Sequence, residues 1–244
     1  MAHVAQLISE RIATDRAKDT RVKDAFHVTD LGKCLRGVYL KRLHNIDGFD
    51  DRQLRIFRAG HLFEEFIISS IPESTISELQ GTCVWPELNL MGSFDLLTKE
   101  ADGYHLYELK SQNSQSFHYM LDAANPLHIQ QVLLYASKIQ ERIPLAGIHV
   151  FYLSKDDLCS KQFDVPYDQA IVDAALLKAK YLKECWDKGI LPDVPPTLVV
   201  SSKKKTAGKF EVNWVARFCD VHAQCLGDES WEAKAKSEAD SMNK

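Results

Sequence analysis

A chain of 244 residues is long for one domain and short for two, and its 45% hydrophobic and 26% charged residues suit a globular protein with a sizeable core. The formal net charge of −4 excludes a protein that coats nucleic acid through bulk positive charge, though it allows a local basic groove. No run of about 18 apolar residues marks a membrane span, and the opening MAHVAQLISERIATDRAKD has no signal-peptide core. The expected setting is cytoplasmic, where six cysteines are read as buried thiols or metal ligands rather than disulfides.

Residues 1–26 have a polar, helical pattern and are expected to form an N-terminal helical extension. In HVTDLGKCLRGVYLKRL, Thr29 or Asp30 is placed to cap a helix that turns Leu31, Leu35, Val38 and Leu43 inward. RQLRIFRAGHLFEEFIISSI predicts a third helix, with Leu54, Phe57, Leu62, Phe66 and Ile67 near helical spacing. Two strands are expected at Thr82–Leu88 and Leu90–Leu97, and a third at Tyr104–Lys110 after an Asp102-Gly103 turn. PLHIQQVLLYASKIQE reads as a helix opening at Pro126, and AGIHVFYLS as a buried strand. DQAIVDAALLKAKYLKECWDKGI predicts a long amphipathic helix ending near Gly189. After LPDVPP the chain reads as irregular, with a lysine run at 203–205, a cysteine-bearing segment and a polar tail over 226–244. This order of elements predicts an α/β fold, a central mixed sheet flanked by helices.

The stretch GSFDLLTKEADGYHLYELK carries the chemistry. Strand alternation puts Glu108 and Lys110 on one face and Leu109 on the other. A two-residue turn at Asp102-Gly103 would set Asp95 across from Lys110, with Glu108 diagonally near. Two adjacent carboxylates repel, and burial penalises their ionised forms further. A hard divalent cation relieves both effects, and a lysine beside it can orient water or offset charge on a phosphoryl oxygen. Taken alone, these three residues are better read as a solvated strand face and a commonplace acid before a loop.

In company they resemble more. GSFDLL…YELK is similar to motifs II and III of the PD-(D/E)XK nuclease superfamily, and Gln131-Val132-Leu133-Leu134-Tyr135 to the Q-x-x-x-Y motif of its Cas4/RecB-like branch, which includes phage-type exonucleases. The resemblance runs from about His27 to Cys225 and implies a restriction-endonuclease-like core over 27–225. It implies that Asp95 and Glu108 bind Mg²⁺ or Mn²⁺ with the Leu109 carbonyl, that Lys110 positions the attacking water, and that Gln131 and Tyr135 contact the nucleic-acid strand and the active-site shell. FRAGHLFEEFI looks like motif I, which makes Glu64 the favoured further ligand, with His61 and Glu65 as alternatives.

In the Cas4-like branch one early cysteine and three near the carboxyl end hold a [4Fe-4S] cluster. Here Cys34, Cys219 and Cys225 match that pattern, while Ala216 stands at the fourth position. A [4Fe-4S] cluster normally takes four protein ligands. Asp220 or His222 as a substitute, a Cys3His zinc site, or cysteines kept only as small buried residues are the readings left open. Cys83, Cys159 and Cys185 match no ligand pattern and are expected to be core thiols. Lys33, Arg36, Lys41, Arg42, Arg55, Arg58 and the 203–205 lysines are candidates for phosphate contacts.

The resemblance thus implies a Mg²⁺- or Mn²⁺-dependent DNA nuclease, an exonuclease on single strands or DNA ends in recombination or repair, in a bacterial or phage-infected cell. Its partners would be DNA and, beyond it, a second copy or recombination and replication proteins. A structure-specific endonuclease and a non-catalytic DNA-binding or assembly subunit are the rival readings.

Overall fold

The computed structural model describes residues 4–17, 25–46, 50–120, 123–201, 206–217, 219, 221, 225 and 231–243. Its elements are α1 (Val4–Ala17), β1 (Phe26–His27), α2 (Leu35–Leu43), α3 (Asp51–Ser69), β2 (Ile76–Leu79), β3 (Thr82–Trp85), β4 (Leu90–Ser93), β5 (Leu96–Glu100) and β6 (Gly103–Gln112). They continue with α4 (Ser114–Tyr119), α5 (Pro126–Ile139), β7 (Leu145–Ser154), β8 (Ser160–Asp164) and α6 (Gln169–Lys188). The last are β9 (Leu198–Val200), β10 (Phe210–Val212), α7 (Trp214–Arg217) and α8 (Trp231–Met242). Two compact units emerge: Met1–Thr29 with Phe49–Leu177, and Asp30–Gly48 with Lys178–Lys244. Among the described residues no helix is long and apolar enough to cross a membrane.

The first unit is built on a five-stranded sheet in the order β2-β5-β6-β7-β8, in which only β6 and β7 run parallel. This is the mixed, helix-flanked α/β architecture that the order of elements predicted. Alternation along β6 gives the sheet its two faces. Leu109 packs with Leu96, Leu153 and Ile67, and Phe63 and Ile68 join that cluster, so α3 covers one face. On the other, Tyr152 stands beside Lys110 in the parallel register, and its hydroxyl accepts the N–H of Asn125 at 3.0 Å. Asn125 in turn caps α5 by accepting from Leu127 N, with Pro126 at the first helical position. The helix on this face is therefore α5.

Several expectations change. The run Leu90–Leu97 is not one strand: β4 joins β1 and β3 in a separate three-stranded sheet, and the chain breaks at Phe94-Asp95 before entering β5. The strand begun at Thr82 stops at Trp85 because Pro86 has no N–H to offer a ladder, and a short 3-10 turn closes on Asn89 at φ 47°. The β5–β6 turn falls one residue earlier than Asp102-Gly103, since Glu100 pairs with Gly103. Gly103 itself sits at φ +142°, and a Cβ there would approach Ala146 to 2.9 Å, which accounts for the glycine. Strands β2 and β8 lay outside the sequence reading; they are the two edges of the sheet, short, and neither buries a residue.

Helix α3 starts at a capping box between Asp50 and Gln53. Of the positions expected to face inward, Ile67 is buried, whereas Phe57, Leu62 and Phe66 are about half exposed. The face that meets the sheet is instead Phe63-Ile67, one turn apart and near the helix end.

In the second unit, Cys34 rather than Thr29 or Asp30 caps α2, its Sγ accepting from Gly37 N at 3.3 Å, while residues 28–32 form a 3-10 turn. Tyr39 meets Trp186 edge-on at 5.1 Å between ring centroids, and the Arg42 guanidinium lies 5.2 Å from the same ring. The segment read as irregular contains the β9–β10 hairpin, and the polar tail contains α8. Asn243 closes this part by exchanging two 2.8 Å hydrogen bonds with the Phe210 backbone, as a neighbouring strand would.

Candidate active site

Extending the β5–β6 register by one pair sets Asp95 opposite Glu108, not opposite Lys110 as the two-residue turn implied. The break before β5 lets Asp95 turn toward β6, where its Oδ2 accepts the Leu109 N–H at 2.7 Å. Glu108 has no exposed surface, and its Oε1 pairs with Lys110 Nζ. Its Oε2 is buried with no hydrogen-bond partner. An orphaned carboxylate oxygen in an apolar interior is costly unless something positive arrives, so the donor set fits a divalent cation.

The electrostatics agree. Burial, then the charge of Glu108, pushes the Asp95 carboxyl well above its ordinary value. Burial also raises Glu108, against the pull of Lys110. For Lys110, burial works against the charge, but Glu108 and Asp95 outweigh it and raise the ammonium's pKa. Lys110 therefore stays cationic between two acids that resist ionising together.

Glu64, on α3, accepts from Gln80 Nε2 at 3.0 Å, and its charge acts on Asp95, Glu108 and Lys110. His61 and Glu65 are exposed on the same helix. Tyr135 is buried on α5, where burial and the nearby Glu108 raise its phenol, and Gln131 Nε2 donates to its hydroxyl at 3.4 Å. The tyrosine fits because residue 92 is glycine: a Cβ there would stand 2.7 Å from the Tyr135 hydroxyl oxygen. Asp95, Glu108, Lys110, Glu64, Gln131 and Tyr135 all belong to the first unit.

The basic candidates divide between the units. Arg55 and Arg58 are exposed on α3, and Arg55 donates to Ser9 Oγ at 3.0 Å. In the second unit Lys33 pairs with Asp30 at 2.9 Å, Arg36 donates to the Pro192 carbonyl at 2.9 Å, and Lys41 is on α2. The 203–205 lysines lie outside the described residues.

The three thiols Cys34, Cys219 and Cys225 gather in the second unit with Leu40, Val221, Ile46 and Val215. A hydrogen bond from Cys219, then the Gly37 N–H, lowers Cys34 to about 6 against its burial. The same contact and burial push Cys219 up, and burial raises Cys225. Ala216 faces elsewhere, packing on Ala235 with Leu198 and Val212. Among the described residues the set therefore does not fit a four-thiolate cluster; Asp220 and His222 lie outside them. Of the remaining cysteines, Cys83 and Cys185 are buried as expected, with Cys83 pushed up to about 12 by burial. Cys159 is exposed instead, because it falls in the β7–β8 connection.

The opposite face of β6 carries a second polar group absent from the sequence reading. Asp102 Oδ1 and His105 Nε2 are 3.0 Å apart, His105 Nδ1 and His149 Nε2 2.9 Å, and His149 Nδ1 and Asp164 Oδ1 2.8 Å. Glu100, Asp102 and His105 stand close enough together to hold one metal ion. The signal that could have exposed this group is Gly147, where a Cβ would meet both imidazoles at 2.4 Å.

No family model matches the chain, and no curated protein matches it. Solved structures do. The crystal structure of SSO0001 superposes with a TM-score of 0.56 at 13% identity, over 92% of this chain and 96% of that one. An alkaline exonuclease from Laribacter hongkongensis (LHK-Exo) gives 0.50 at 12% identity, over 74% of this chain and 93% of that one. The chain shares its fold with an exonuclease. At these identities the likeness is one of architecture.

Proposed function

We propose that this protein is a divalent-cation-dependent DNA nuclease that hydrolyses phosphodiester bonds, acting as an exonuclease on single strands or DNA ends, of the Cas4/RecB-like, phage-type kind. The observation that carries this reading is the buried, unpartnered Glu108 Oε2 beside a second acid and a cationic lysine. The fold held in common with LHK-Exo supports it.

Asp95 and Glu108, with Glu64 and the Leu109 carbonyl, would hold Mg²⁺ or Mn²⁺, which supplies a lowered pKa for water and charge neutralisation at the departing oxygen. Lys110, fixed by Glu108, presents its remaining ammonium hydrogens to the attacking water and to a phosphoryl oxygen. Tyr135, buried on α5, backs the acids, Gln131 one turn before it faces the strand, and Arg55 and Arg58 offer phosphate contacts. Within the second unit, Lys33 and Arg36 offer phosphate contacts of their own. The thiols Cys34, Cys219 and Cys225 serve as packing within that unit.

The test is single- and double-stranded DNA labelled at either end, incubated with Mn²⁺ or with EDTA. Stepwise shortening from one end in Mn²⁺, abolished by EDTA and by Asp95→Asn or Glu108→Gln, is the expected result. Cutting of a closed single-stranded circle would favour the endonuclease. Binding without cutting in Mn²⁺, unchanged in both variants, would leave the chain a non-catalytic DNA-binding subunit.

A further inference from the structure

His128 stands one turn before Gln131 on the stripe of α5 that ends in Tyr135, and none of the motifs includes it. Its ring is partly buried, and its Nδ1 lies 2.8 Å from the Tyr152 hydroxyl. That hydroxyl already accepts the Asn125 N–H at 3.0 Å. Its own hydrogen has one acceptor among the described residues, His128 Nδ1. Nδ1 therefore accepts, and the imidazole hydrogen sits on Nε2. Burial and the nearby Lys110 charge depress His128 to about 4, so the ring is neutral at physiological pH.

The result is an N–H donor with a fixed tautomer and no acceptor in the protein among the described residues. Its partner Tyr152 stands beside Lys110 in the β6–β7 register, on the same sheet face as the lysine of the candidate site. The geometry of strand and helix extends the row. Glu108, Lys110 and Gln112 follow one another on one face of β6, as Tyr135, Gln131 and His128 do along α5. A neutral donor beside an ammonium suits an anionic oxygen, which accepts from both without adding a cation next to Lys110.

We infer that His128 Nε2–H contacts a non-bridging phosphate oxygen of the bound strand, beside Lys110, and that Tyr152 positions the ring for it. This inference rests on the nuclease reading above and adds a substrate-binding residue to that site.

The experiment measures binding of a fluorescent single-stranded oligonucleotide in the Glu108→Gln background, where cleavage is expected to be off. His128→Ala should weaken binding roughly 10- to 100-fold, the range for a hydrogen bond to a charged group. His128→Gln, which returns an N–H near the Nε2 position, should recover most of that loss, with both variants melting near the parent. In the parent, ¹⁵N NMR should show the Nε2–H tautomer, and its signal should move on adding the oligonucleotide. Tyr152→Phe should weaken the tautomer preference and lower affinity less than His128→Ala. Unchanged affinity in His128→Ala overturns the inference, as does equal loss in Ala and Gln variants accompanied by a lower Tm. Cleavage by the otherwise native protein with unaltered His128→Ala binding sinks His128 alone. Failure of the native protein to cut DNA, with the His128 effect intact, sinks the hydrolytic reading and keeps the phosphate contact.

Discussion

Leu109 donates its backbone N–H to Asp95 Oδ2 at 2.7 Å, and that bond ties one acid to the strand that carries the other. The two carboxyls are held together by main chain, so they cannot separate to relieve repulsion. Both are raised from their ordinary values, Asp95 by burial and Glu108, and Glu108 by burial. A carboxyl raised in the folded state contributes stability below its unfolded pKa and loses it as pH rises through the folded value. Without a cation, the native protein should therefore lose stability relative to Asp95→Asn as pH climbs out of the ordinary carboxylate range. Thermal melts in EDTA at stepped pH should show that gap widening toward neutrality. A gap independent of pH would contradict the shared burial of the two acids.

Adding Mn²⁺ should reverse the order. A ligand at a hundred times its Kd stabilises the fold that binds it by about 2.7 kcal/mol. The native protein should gain on that scale at saturating Mn²⁺, and the Asp95→Asn, Glu108→Gln double variant should gain little. Because Glu100, Asp102 and His105 could also take an ion, the control is Asp102→Asn, which should leave the gain in place.

Lys110 has a different role, which its variants should separate from cation binding. Replacing it with alanine leaves both acids and removes the donor paired to Glu108. Turnover on labelled DNA should fall on the order of 100- to 1,000-fold, the scale for losing one preorganised donor to developing charge. Mn²⁺ affinity, read by the melt, should hold or improve because a competing cation has gone. Equal loss of Mn²⁺ binding and turnover would make Lys110 a structural counterion only.

The cysteine pattern offers a further check. Ala216 is 3% exposed and its side chain packs on Ala235, in a cluster separate from that of Cys34 and Cys219. Ala216→Cys should therefore add no ligand, and the variant, reconstituted with iron and sulfide, should stay colourless. A brown, oxygen-sensitive product would show that residue 216 reaches the thiols.

How much of this was legible beforehand depended on whether the signal was local. The E-x-K pair on β6, the Gln131–Tyr135 turn and the long helices follow from periodicity within one element, and sequence carries periodicity directly. The partner of Asp95 moved by two residues, from Lys110 to Glu108, because register depends on which residues form the turn, and Gly103 supplies the first strand position rather than the turn. Edge strands β2 and β8 were hidden because they are short and bury no residue, so neither carries an apolar run. The His105–His149 contact arises only from the parallel register of β6 and β7, between residues far apart in the chain. His128 was passed over for a related reason: its tautomer is set by Tyr152, which the sheet brings to it.

Gly92 is the position where a single carbon should unsettle the site. A Cβ there would stand 2.7 Å from the Tyr135 hydroxyl oxygen, 2.9 Å from its Cε1 and 3.0 Å from Val28 Cγ2. Tyr135 is fully buried on α5, so the extra carbon meets a packed ring rather than solvent. Gly92→Ala should then destabilise the fold by about 1–3 kcal/mol, the range for overpacking a core, as read from the midpoint of urea unfolding at unchanged m. Turnover should fall further than stability explains, since Tyr135 backs Glu108. Adding Tyr135→Phe removes the closest contact, so the double variant should regain part of the stability lost. If the second substitution makes the protein weaker still, the crowding lies with the Tyr135 ring edge and Val28 rather than with the phenol oxygen.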